Sequence, residues 1–142
     1  MVPGGITVQV LNYDIPDDLY YSKEHEWVRV KGKTAVIGIT DYAQKSLHEV
    51  VYVEIPMIAS QIKQSQSIGS AESVKSVSDI FTPISGEIID INTKLTESPE
   101  LVNKDPYGEG WIAKVQLVNF GDDSKKLLSS EQYADYIEAL EE

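Results

Sequence analysis

The sequence predicts a mainly β, single-domain fold, on three observations. Short runs rich in β-branched residues recur along most of the chain, separated by Gly, Pro, Asn and Ser, as in a small sandwich or barrel. A length of 142 residues suits one core rather than two. Only near the C-terminus does the period change: Tyr133, Tyr136, Ile137 and Leu140 fall at i, i+3, i+4 and i+7, one face of a helix.

Taken in order, residues 1–19 read as an N-terminal extension. Gly4-Gly5, Pro3 and Pro16 bracket the alternation Ile6-Val8-Val10, which predicts an edge strand ahead of the domain formed by residues 20–142. Trp27–Lys31 and Lys33–Ile39 meet across Gly32 as a hairpin. Thr40 or Asp41 caps a short helix, with Gln44 placed to reach back and with Tyr42, Ala43 and Leu47 on its apolar side. Val50–Ile55 is a strand stopped by Pro56. Gly86 precedes the strand Glu87–Ile91, where it allows tight packing or a special backbone angle. Thr93–Leu101 is a loop with a helical turn, and Trp111–Val118 is the last strand. Ser129 with Gln132 forms a capping box for the C-terminal helix, and Leu128 can staple onto Tyr133. Trp27 and Trp111 belong to the core or its rim.

Between these elements, Ile62–Ser73 and Val77–Ile84 flank Val74-Lys75. Read as a hairpin, they carry Lys75 at the tip, in solvent. The turn lacks the usual Asn-Gly or Asp-Gly, and a single lysine is most often a solvated surface charge.

Composition removes several function classes. Without cysteine there is no disulfide, thiolate metal site or cysteine nucleophile, and nothing points outside the cell, so a cytoplasmic location is expected. The net charge of −11 argues against binding to nucleic-acid backbones. No apolar run approaches a membrane span, and the first residues lack the basic start and long apolar run of a targeting signal. Two histidines and scattered carboxylates show no metal-ligand spacing, and there is neither a Gly-x-Ser-x-Gly elbow nor a phosphate-binding glycine loop. An independent enzyme is not expected.

The run Glu72-Ser73-Val74-Lys75-Ser76-Val77-Ser78-Asp79 closely resembles the lipoylation motif of the glycine cleavage system H proteins. Lys23-Glu24-His25-Glu26-Trp27-Val28, Gly38-Ile39-Thr40-Asp41-Tyr42-Ala43-Gln44 and Asn103-Lys104-Asp105-Pro106-Tyr107-Gly108-Glu109-Gly110-Trp111 resemble the same family in the same order, from about Tyr20 to the C-terminus. The resemblance implies a lipoyl-type barrel-sandwich hybrid with short peripheral helices and a C-terminal helix. It also implies lipoic acid in amide linkage to Lys75, Glu72 as a recognition residue for lipoylation, and Glu26 and Asp79 in a cleft for the loaded arm. Glu24 is a weaker member of that set, and His25 is as readily structural as functional. Glu72 and Asp79 also read as two solvated acids beside a turn.

The implied function is that of a non-catalytic shuttle. Its partners would be glycine decarboxylase, a tetrahydrofolate-dependent aminomethyltransferase, dihydrolipoyl dehydrogenase, and a lipoate ligase or octanoyltransferase. An H-like lipoyl donor for other enzymes is the alternative. Lipoyl domains of 2-oxoacid dehydrogenases typically show Asp-Lys-Ala at the tip, and biotin carriers flank the lysine with methionine; Val74-Lys75-Ser76 fits neither. Three places depart from the family pattern. Leu47-His48-Glu49 stands where a Gly-Asp or Gly-Glu pair is usual, Met57–Gln66 lacks the usual glycines, and Ser46 falls near a histidine found in some members.

Overall fold

A computed structural model describes residues 7–141, so Ile6 of the expected alternation lies outside the described residues. Among the described residues, eleven strands form three antiparallel sheets. β1 (Thr7–Val10) pairs only with β2 (Tyr13–Pro16). Residues 7–16 of the extension thus form a two-stranded hairpin. Leu11 and Asn12 make its turn, both at positive φ (53° and 71°), the condition for the tight turn that fits strand twist.

The largest sheet has six strands in the order β3-β4-β5-β11-β10-β7. These are β3 (Tyr20–Tyr21), β4 (Glu26–Lys31), β5 (Thr34–Ile39), β7 (Gln61–Ile62), β10 (Gly86–Ile91) and β11 (Ala113–Leu117). The third sheet joins β6 (Val50–Glu54), β8 (Ser67–Ser73) and β9 (Val77–Phe81), with β8 central. Val53, Ala71 and Ile80 of the three-stranded sheet pack with Val28, Ile37, Ile88 and Val115 of the six-stranded sheet in the main core. This is the sandwich expected from the sequence. Gly86 is required where it stands: its φ is 154°, and a β-carbon there would sit 2.0 Å from the Gln116 carbonyl oxygen.

A second, smaller core explains why β4 is buried on both faces. Val28 faces the main core, while the adjacent Trp27 joins Ile15, Leu19, Tyr21, Tyr133, Ala134 and Ile137. Trp27 also donates its indole N–H to the Pro106 carbonyl at 3.0 Å. Trp111 is half-buried at the rim.

The helices are short except the last. α1 (Asp41–Leu47) is capped by Thr40, whose Oγ1 accepts from Ala43 N at 3.2 Å. α2 (Lys94–Glu97), α3 (Leu101–Lys104) and α4 (Phe120–Asp123) are single turns, and α5 (Ser130–Glu141) closes the chain. The capping box forms as expected: Gln132 N donates to Ser129 Oγ at 3.2 Å and Ser129 N to Gln132 Oε1 at 2.9 Å. Leu140 is 49% exposed, because α5 outruns the second core after Ile137.

Candidate functional site

The Lys75 hairpin is β8 joined to β9. Glu72 pairs with Val77, leaving Ser73 to Ser76 as the turn. Ser73 N donates to Ser76 O at 2.8 Å, and Ser76 N returns a bond to Ser73 Oγ at 3.2 Å. The two serines thus close the turn that lacks Asn-Gly, leaving Val74 and Lys75 outermost; both are exposed, Val74 at 84%. Lys75 has no ion pair among the described residues. Glu72 is half-buried and shares its cross-strand row with Tyr52 and Val77 on the sheet's outer face, beside the tip.

A cleft of about 180 Å³ opens between α1, the loop before β4 and the free edge of β9. Ile39, Leu47, Ala71 and Ile80 give it an apolar floor. Glu24, Glu26 and Asp79 all line it, so three of the acids singled out in the sequence converge here, and Glu72 does not join them. Glu24 and Asp79 are exposed, at the rim. Ser46, at the position of the family's occasional histidine, is also in the wall.

Glu26 is only 2% exposed. Its Oε1 accepts from Ser22 Oγ at 2.5 Å and its Oε2 from Phe81 N at 3.1 Å, which ties the end of β9 to β4. Burial pushes its carboxyl up to about 8, against the opposing effect of these two hydrogen bonds. His25 is structural in its contacts. Its Nδ1 lies 2.9 Å from the Tyr133 hydroxyl, its ring stacks on Tyr42, and burial pushes it down to about 4.

A second hollow, about 350 Å³, lies under the tip between Leu47-His48-Glu49 and Ser73–Ser76. Leu47 lines both hollows, so the hollow under Lys75 adjoins the cleft at an apolar side chain. From Lys75 to Asp79 is four residues of strand, roughly 13 Å. A lipoyl-lysine arm of about 14 Å spans that distance, so the residues present fit the group. His48 stands at φ 67°, ψ −150°, a region of the backbone map populated almost only by glycine.

Three contributors to this site were not found from sequence. Ser73 and Ser76 lock the turn; Ser22 and Phe81 hold Glu26; and Asn103 bonds the segment under the tip. Ser73, Ser76 and Asn103 lay in motif blocks, but the hydrogen bonds that give them these roles are set by the fold.

Fold and site together define a small β-sandwich domain with Lys75 exposed at the tip of a hairpin. The family model for the glycine cleavage H-protein matches residues 19–140. The chain belongs to the glycine cleavage H-protein family. It is 45% identical over 128 residues to the glycine cleavage system H protein of Halothermothrix orenii, covering 90% of this chain and 99% of that one. Over 106 residues it is 54% identical to the H protein of Symbiobacterium thermophilum, covering 75% and 83%. The crystal structure of the Mycobacterium marinum H protein superposes with a TM-score of 0.78 at 34% identity, covering 85% of this chain and 97% of that one.

Proposed function

We propose that the chain is the lipoyl-bearing shuttle of the glycine cleavage system, with lipoic acid in amide linkage to Lys75. One observation carries the reading: an exposed lysine stands on a serine-locked turn whose underlying hollow adjoins, at Leu47, an acid-rimmed cleft. When bound, the dithiolane would take the aminomethyl group from glycine decarboxylase, yield it to the tetrahydrofolate-dependent aminomethyltransferase and be reoxidised by dihydrolipoyl dehydrogenase.

The chain's own residues would present and shelter that arm. Ser73 and Ser76 fix the turn, so the lysine amine is offered to the lipoate ligase or octanoyltransferase in one geometry. Glu72, half-buried beside the tip, gives that enzyme a fixed acid to recognise. Leu47, Ala71 and Ile80 keep water from the arm, and Glu24 and Asp79 favour the protonated, cationic amine of the cargo. Protonation occupies the nitrogen lone pair that would otherwise expel sulfur and lose the cargo to hydrolysis. Glu26, at the base of the cleft, is reached last.

Intact and peptide mass spectrometry after incubation with lipoate, ATP and a lipoate ligase tests the attachment. One lipoyl group on Lys75 and none on Lys75→Arg is expected; an unmodified chain beside an active ligase would end the proposal. Glycine-dependent mass gain with glycine decarboxylase then separates a shuttle from a protein that only donates lipoyl groups.

A further inference from the structure

Asn103, on α3, joins segments that meet under the lysine turn. Its Oδ1 accepts from Val50 N at 2.9 Å, and its Nδ2 donates to His48 O at 2.7 Å and to Gln44 Oε1 at 2.9 Å. The line continues inward. Gln44 Nε2 donates to Asp41 Oδ1 at 2.6 Å, and Asp41 Oδ2 accepts from Asp14 N at 2.9 Å. Gln44 and Asp41 are buried, at 7% and 6% exposure. A hydrogen-bonded relay therefore runs from the N-terminal hairpin along α1 to the bend beneath Lys75.

Both ends of the relay touch what an arm would use. Val50 pairs with Ser73, the first residue of the lysine turn. His48 and Glu49 line the hollow under Lys75, and Tyr42, Ala43, Ser46 and Leu47 of α1 wall the cleft. The backbone at His48 sits in a sparsely populated region, and such a conformation persists only where its surroundings over-determine it. Here the restraints are two: His48 N bonds to Gln44 O at 3.0 Å, and His48 O to Asn103. An apolar residue at 103 would strand Val50 N and His48 O and release that bend.

We propose that Asn103, acting through Gln44 and Asp41, is a positioning residue of the carrier, holding α1 and the His48 bend so that the hollow and the cleft stay aligned with Lys75. The inference rests on the reading that an arm on Lys75 docks in the cleft.

The test compares backbone amide spectra of the full lipoylated chain before and after loading with glycine and glycine decarboxylase. In the wild type, loading should shift the amides of residues 42–47. In Asn103→Ala the docked-to-free ratio should fall roughly fivefold, the factor that goes with one net hydrogen bond. In the unlipoylated variant, amide exchange at Val50 and Ser73 should rise by a similar factor of about five. Ile137→Val, which loosens the second core, should change neither. Gln44→Met cuts the relay while leaving the Asn103 bonds to His48 and Val50, and serves if Asn103→Ala does not fold; it should weaken docking likewise. A folded Asn103→Ala with wild-type shifts and exchange overturns the proposal, as does Ile137→Val reproducing its effects. If the loaded wild type shows no shift at residues 42–47, the cleft reading fails instead, and exchange at Val50 and Ser73 still decides whether Asn103 holds the bend.

Discussion

Replacing His48 with glycine should stabilise this protein. His48 holds φ 67° and ψ −150° after α1, and its side chain is exposed. A residue with a β-carbon in that region carries on the order of 1–3 kcal/mol of strain. Glycine relieves it, at a cost of about 0.5–1 kcal/mol for the extra freedom of the unfolded chain. Because an exposed imidazole loses little burial, the net gain for His48→Gly is about 1 kcal/mol. That corresponds to a rise in Tm of roughly 3–5 °C at this chain length. Urea unfolding should show a higher midpoint with an unchanged slope. His48→Ala is the discriminating companion: it removes the imidazole but keeps the β-carbon, so it should lie within about 0.5 kcal/mol of the wild type. If His48→Gly were no more stable than wild type, or if His48→Ala matched its gain, the strain argument would be wrong.

Two further outcomes follow from single residues. Glu26 should impose a pH slope on stability. Its native carboxyl is raised to about 8 from 4.5, chiefly by burial, so its contribution is fully present below about 4.5 and is lost as pH rises through about 8. Glu26→Gln should flatten urea-derived stability across that window, by on the order of a few kcal/mol relative to wild type; parallel curves would contradict it. Gly86→Ala should cost about 3 kcal/mol or more, since its β-carbon meets the fixed Gln116 carbonyl and its φ is 154°. A thermal melt within about 2 °C of wild type would count against that close approach.

What the sequence showed was what neighbouring residues decide. β-branched runs marked the strands around Val36, Val53 and Ile88, and Ser129 with Gln132 marked the start of α5, because those signals lie within a few residues of one another. Strand-like runs on either side of Lys75 marked a hairpin, but its turn, closed by a serine pair instead of a glycine, gave no signal of its own, and only the family resemblance singled the lysine out. Distant partners stayed hidden, even for residues the sequence singled out. Glu26 takes its hydrogen bond from Phe81, 55 positions away, and Asp123 is buried because Ser85 N donates to it at 2.7 Å, 38 positions away. The β1–β2 hairpin was obscured by its turn, which puts Leu11 and Asn12 at positive φ without a glycine. Leu140 fitted the helical stripe, yet periodicity cannot say where the surface beneath a helix ends.

The two acids assigned to the cleft do different work once their surroundings are weighed. With His25 pushed down to about 4, the cleft holds no imidazolium near neutral pH. With Glu26 pushed up to about 8, its base is largely uncharged when empty. The exposed acids Glu24 and Asp79 stand at the rim, in contact with water. That arrangement leaves an apolar interior able to take a dithiolane, with attraction for a cation only at the entrance. A cationic amine that reached Glu26 would lower its pKa and displace its proton. Holding the cargo at depth would therefore release a proton, and the hold should tighten as pH rises toward 8 while the amine stays protonated. The rim acids would draw the cation over the whole of that range, and Glu26 would add to the hold only as it ionises.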